Sequence, residues 1–196
     1  MTPQRPSLEQ KLQQWSNLPK ECNRCDISKL CNHKVYHSSH IHTPPFTRIQ
    51  PSRTDILFIG EAPGQTEYTH KEPFIGPAGD ALRTIIAEAV PPTMSYTIVN
   101  AVLCTPFTDP SRYKIRIPSL SEVSECSKWL TTLCRKIKPR KVVALGAIAD
   151  KAVGYIRMNI PLPEHLTITH PSRIMQSAKS DYEYDNAILK IQEYLK

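Results

Sequence analysis

At 196 residues and a net charge of +7 at neutral pH, the chain is long enough to bury one ordinary core and carries a cationic excess suited to a polyanionic partner, nucleic acid above all. No apolar run approaches the roughly 18 residues of a membrane helix, and Met1 to Pro6 is polar rather than a signal peptide, so a soluble, intracellular protein is expected, cytoplasmic or nucleoid-associated. Six cysteines in such a chain point to metal ligands or buried thiols sooner than to disulfides. No repeat or low-complexity linker divides it. Residues 1–196 therefore read as one domain and one monomer, with an N-terminal segment of about 1–53 packed on the remainder.

Ser7 to Leu18 carries Leu8, Leu12 and Trp15 at helical spacing, with Ser7 and Gln10 as a capping box. This helix leads into Cys22-Asn23-Arg24-Cys25. A C-x2-C turn points two thiolates at one centre, and by itself fits zinc, an iron–sulfur cluster or a redox pair. Cys31, His33, His37, His40 and His42 follow, so a zinc site from Cys22, Cys25, Cys31 and one histidine is open on residue type. The segment up to Pro51 has no clear periodicity.

Asp55 to Ile59 is a short apolar run that reads as a buried strand, and the chain then turns through Gly60-Glu61-Ala62-Pro63-Gly64. Glu61 is thus presented at the carboxyl end of a strand, where ligands of open α/β sheets bind. Phe74, between Pro73 and a Gly76-Pro77-Ala78-Gly79 turn, offers an aromatic face to the same crevice. Tyr96 to Val102 is the second strand; Asn100 lies near its end and Cys104 just beyond. The loop Thr105 to Pro118 interleaves Arg112, Lys114 and Arg116 with Tyr113, Ile115 and Ile117, a pattern that fits an edge strand or a phosphate-contacting surface.

Ser119 and Glu122 form a second capping box, which starts a helix over Leu120 to Ile137. Its apolar face carries Leu120, Val123, Leu130, Leu133 and Ile137, with Cys126 turned inward among them. Lys141 to Gly146 is the third strand, Ala147 to Tyr155 a helix, Leu166 to Thr169 the fourth strand, and Tyr182 to Leu195 the closing helix. Strand, turn and helix repeated four times predict a three-layer α/β/α fold with a central four-stranded parallel sheet. The fourth strand ends in His170-Pro171-Ser172-Arg173, so the loops after the first and fourth strands can share one crevice.

The run GEAPGQTEYTHKEPFIGPAG, the later His170-Pro171-Ser172 and the cysteine spacing together resemble the iron–sulfur, or family 4, branch of the uracil-DNA glycosylase superfamily, over Cys22 to about Met175. The resemblance implies that superfamily's fold and a [4Fe–4S] cluster held by Cys22, Cys25, Cys104 and Cys126, leaving Cys31 and Cys134 as buried thiols. It further implies a monofunctional DNA repair enzyme of base excision repair, acting on uracil in single- or double-stranded DNA by base flipping and leaving an abasic site. Hydrolysis of the N-glycosidic bond builds positive charge on the sugar and negative charge on the departing base. His170 is then the neutral donor to uracil O2, and Glu61 the leading carboxylate, with Glu67 the second candidate for handling water. Phe74 stacks on the base, and Asn100, whose amide donates and accepts at once, reads its O4 and N3–H edge.

Gly60, Ala62, Pro63 and Gly64 line the base site in this resemblance, Ser172 and Arg173 hold phosphates, and Arg173, Ile174 or Met175 fills the gap in the duplex. Tyr68 and Lys71 depart from the family pattern and imply more bulk and charge at the pocket mouth, and Arg173 stands where the family often has an apolar residue. Two other readings fit the same residues: a DNA-binding member that recognises uracil or a modified base without cleaving it, and a glycosylase for another base, such as hypoxanthine or a 5-modified uracil.

Overall fold

The structure, a computed structural model, describes residues 40–42, 54–70, 74–108 and 114–196. The helix expected over Ser7 to Leu18, the histidines before His40 and the cysteines Cys22, Cys25 and Cys31 lie outside the described residues. The elements in chain order are β1 (His40–His42), β2 (Ile56–Gly60), α1 (Gln65–His70), α2 (Pro77–Ala89), β3 (Tyr96–Asn100) and α3 (Leu120–Ile137). They continue with β4 (Lys141–Leu145), α4 (Ala147–Arg157), β5 (His165–Ile168), α5 (Pro171–Gln176) and α6 (Ser180–Leu195).

The sheet has the order β1-β3-β2-β4-β5. The four expected strands are parallel, Leu57 opposite Thr97 and Val142, and Val143 opposite Leu166. The fifth, β1, adds antiparallel to the β3 edge with Ile41 opposite Thr97. Three residues are too few to show a period of two, so this strand leaves no trace in the hydrophobic pattern.

β2 and β4 are buried on both faces, which is why their sequences run apolar instead of alternating. One face packs Leu57, Ile59, Val142 and Ala144 under α3 and α4, through Val123, Leu130, Val153 and Ile156. The other packs Ile56, Phe58, Val143 and Leu145 under α2 and α6, through Leu82, Ile85, Ala187 and Ile191. The three-layer arrangement follows from these two cores. Emptying one such side chain, Ile156→Ala for instance, costs on the order of 2–5 kcal/mol.

Element ends shift by a residue or two from expectation, for local reasons. Asp55 is not the first strand residue: its Oδ2 accepts from the Ser95 N–H and Oγ–H at 2.9 and 2.8 Å, pinning the entrances of β2 and β3 together. The Gly76 to Gly79 segment is not a free turn but the cap and first turn of α2, with Pro77 at the position where a missing N–H costs nothing. The capping box of α3 is present in both directions, yet Leu120 is 52% exposed and lies off the buried face that Val123, Cys126 and Leu130 form. No helix among the described residues is long and apolar enough to cross a membrane.

Candidate active site

From β2 the chain steps to β3 on one side and to β4 and β5 on the other, so strand order reverses between β2 and β4. Loops leaving the carboxyl ends of these strands diverge there and open a crevice. A cavity of about 530 Å³ occupies it, within the range of small-molecule sites. Glu61, Ala62, Pro63, Gly64, Glu67, Phe74, Asn100, His170, Ser172 and Arg173 all line it, so two sequence stretches about a hundred residues apart meet in one place.

Gly60 lies beneath that wall. A Cβ placed on it would stand 2.7 Å from Oδ1 of Asn100 and 2.9 Å from Cζ of Phe74. Glycine at this strand end therefore lets the amide and the ring close over the backbone. Asn100 is 2% exposed, and among the described residues its side chain makes no protein hydrogen bond while it faces the cavity.

Phe74 has φ 54°, a left-handed backbone rare for an aromatic residue. Its carbonyl oxygen sits where a Cβ of residue 79 would be, 1.8 Å from that point, so only glycine fits at Gly79. Arg83 donates to the same carbonyl at 2.6 Å and is itself paired with Asp80.

His170 caps α5. Its Nδ1 accepts the Ser172 N–H at 3.2 Å, and Ser172 Oγ lies 2.8 Å from the same nitrogen. An amide N–H can only donate, so Nδ1 carries the lone pair and the proton of the neutral ring is on Nε2. Burial, and then the positive charge of Arg173, lower the His170 pKa and favour that neutral ring. Gly146, at φ 85°, turns the end of β4 so closely under His170 that a Cβ there would be 3.1 Å from the histidine's own. Glu61 shifts the other way: burial raises its pKa, and Arg173 opposes the rise.

Several expectations about neighbouring residues change. Tyr68 adds nothing to the pocket mouth, because its ring packs edge-on against Phe107 at 4.7 Å. Ile174 is fully buried in the second core, which removes it as a wedge and leaves the exposed Arg173 and Met175. Arg116 reaches the cavity wall already holding Glu122 through two bonds of 2.8 and 2.6 Å. Although desolvation raises the Glu122 pKa, those bonds and the Ser119 cap bring it below its usual range. Arg112, Tyr113 and Lys71 lie outside the described residues.

Sequence reasoning missed the supports of the cavity: Gly146, Arg83 with Asp80, and the Glu67 contacts taken up below. Only Gly146, directly after an apolar strand, left a readable signal.

Cys104, just past β3, and Cys126, on α3, are 2% and 4% exposed and share one core cluster. Two buried cysteines are donors of the type that thiolate-ligated iron–sulfur clusters use. Their expected partners are the undescribed Cys22 and Cys25. Among the described residues no three His, Cys, Asp or Glu side chains gather into a metal site. Cys134 is buried on the same helix, and desolvation pushes its thiol up to about 12.

Fold and cavity together define a doubly wound α/β domain whose switch-point site mixes polar groups with apolar wall and carries the Phe74 ring. Residues 46–196 match the family described as the uracil DNA glycosylase superfamily, and the chain belongs to that superfamily. The type-4 uracil-DNA glycosylase of Pyrobaculum aerophilum is 29% identical over 142 residues, 72% of this chain and 64% of that protein. The enzyme of the same name from Archaeoglobus fulgidus is 25% identical over 190 residues, covering 88% of this chain and 87% of its own length. That of Saccharolobus solfataricus is 35% identical over 96 residues, 48% of this chain and 42% of that protein. The aligned stretch thus spans just under two thirds of the first relative and most of the second.

Proposed function

We propose that the protein is a monofunctional uracil-DNA glycosylase, which hydrolyses the N-glycosidic bond of uracil in DNA and leaves an abasic site. The observation that carries this reading is the convergence of Glu61, Phe74, Asn100 and a neutral His170 on one cavity, in a chain of this superfamily.

The flipped base stacks on Phe74, which contributes on the order of 1–3 kcal/mol toward the cost of extrusion. Asn100 offers N–H to uracil O4 and its oxygen to N3–H; cytosine, with an amine at position 4 and a bare N3, mismatches both. As the C1′–N1 bond breaks, its electron pair passes into the ring and onto O2. Nε2–H of His170 stabilises that charge without transferring a full positive charge to the site, which its lowered pKa disfavours. The Glu61 carboxylate faces the cationic sugar and orients the water that adds to C1′. Arg173, exposed at the rim, contacts DNA phosphate. Neither motif places a lysine as a Schiff-base nucleophile, so no strand cleavage follows.

The buried pair Cys104 and Cys126, with Cys22 and Cys25, would hold the [4Fe–4S] cluster that the sequence resemblance implies. Such a group supplies structural cross-linking, tying the N-terminal segment and the loop after β3 to α3. The protein acts as a monomer inside the cell, on single- or double-stranded DNA.

The test is incubation with matched oligonucleotides carrying one uracil, thymine, cytosine or hypoxanthine, followed by alkali. Abasic product from uracil alone, lost in His170→Ala, is expected. Tight binding of uracil DNA with no abasic product would instead mark a protein that recognises the base without cleaving it.

A further inference from the structure

Glu67 differs from the other carboxylate of the cavity wall in having both oxygens engaged by the backbone. Oε2 accepts the Gly64 N–H at 3.1 Å, and Oε1 accepts the Gly76 N–H at 2.9 Å, with the residue 9% exposed. Gly64 closes the turn that bears Glu61. Gly76 caps α2, two residues beyond Phe74. A Cβ on Gly64 would fall 2.8 Å from Oε2, and one on Gly76 would fall 2.9 Å from Oε1, so each glycine leaves room for the carboxylate where any side chain would displace it.

We infer that Glu67 is a positioning residue: its carboxylate ties the turn carrying Glu61 to the start of the helix beside Phe74, and so sets the spacing of carboxylate and stacking ring. The inference rests on reading the cavity as a uracil site, and it takes the place of the water-handling role expected from sequence. Charge-assisted bonds to two amides, one of them buried, are strong enough to hold a loop in register. Glutamine cannot reproduce them, because its NH₂ would confront one of the two N–H groups. Aspartate, one methylene shorter, reaches one amide at most.

The experiment titrates the full-length, cluster-replete protein with free uracil by calorimetry and measures single-turnover cleavage across pH, for wild type, Glu67→Gln, Gly76→Ala and the double variant. Each single variant should weaken uracil binding about tenfold, and the double variant no more than either, because both break one contact. The midpoint of the acid limb of cleavage should stay at the wild-type pH. Wild-type uracil affinity in Glu67→Gln, with only the maximal rate reduced, would overturn the inference and return Glu67 to water handling. Should Glu67→Gln fail to fold by circular dichroism, Gly76→Ala decides alone, and unchanged affinity there overturns it. Wild-type protein that neither binds uracil nor releases it would sink the reading of the cavity itself, and this inference with it.

Discussion

The backbone N–H of Ser172 donates to Nδ1 of His170 across 3.2 Å, and that contact decides which ring nitrogen carries the proton. On the proposed mechanism, His170→Ala removes the donor to the developing oxyanion and should lower the single-turnover rate about 10²–10³-fold, the usual loss for one such donor. Ser172→Ala keeps the N–H and loses only the hydroxyl, so a fall of about tenfold or less is expected. Nitrogen NMR of the ring should show Nε2 protonated; protonation at Nδ1 would contradict the assignment.

Arg173 acts on Glu61 and His170 in the same direction, lowering the pKa of each. In the proposed mechanism the active forms are the carboxylate and the neutral ring, both deprotonated, so activity should fall on the acid side. Replacing Arg173 by Gln lets both pKa values rise, and the acid limb of kcat/KM should move to higher pH. The displacement should shrink in high salt, since Arg173 is exposed. A limb that stays put in the Arg173→Gln variant would remove Arg173 from the electrostatics of the site.

Burial disfavours a charge on Glu61, while the proposed mechanism needs its carboxylate, so function and stability are opposed there. Its folded-state pKa is raised, so ionisation at neutral pH works against the fold, and the cost vanishes as pH falls through that pKa. Glu61→Gln should be inactive yet melt above wild type at pH 7, with the difference closing under acid. A variant that melts lower would mean the carboxylate stabilises the loop instead.

Gly60 governs the slot between Asn100 and Phe74. Gly60→Ala places a methyl 2.7 Å from the Asn100 oxygen and should abolish base capture while the sheet, read by circular dichroism, persists. Asn100→Asp should keep cleavage but lose the preference for uracil over cytosine. Equal kinetics in both variants would take Asn100 out of the pocket.

With the proposed cluster in place, Cys126→Ser should lose iron and visible absorption and lower the melting temperature, because the variant lacks one of the four proposed ligands. Cys134→Ser should keep both the colour and the iron. Metal analysis showing zinc in a colourless protein would replace the cluster with the zinc site that the early cysteines and histidines also permit.

The parts of this molecule that were legible in sequence are those where a local rule acts alone. The Ser119–Glu122 capping box marked the start of α3 to the residue, and unbroken apolar runs marked β2 and β4 as doubly covered. The glycine-rich turn after β2 and the His-Pro pair after β5 placed Glu61 and His170 in one crevice. What stayed hidden depends on which way a side chain turns once helices pack. Tyr68 leaves the pocket for Phe107, Ile174 enters the core, and Arg116 goes to Glu122 instead of remaining open to phosphate. Glu67 reads as a second acid in a motif, and only its two amide contacts distinguish it from one that meets water.

Phe74 holds a backbone conformation that costs a side-chain-bearing residue on the order of 1 kcal/mol or more, and its neighbours Gly79 and Arg83 keep it there. That cost falls when the chain folds, long before any nucleic acid arrives. On the function proposed above, an extruded base meets a ring whose backbone pose is already set, and spends none of its stacking energy on forcing that pose. In that reading the firmness of the grip on the base is a pose settled once, when the protein folds.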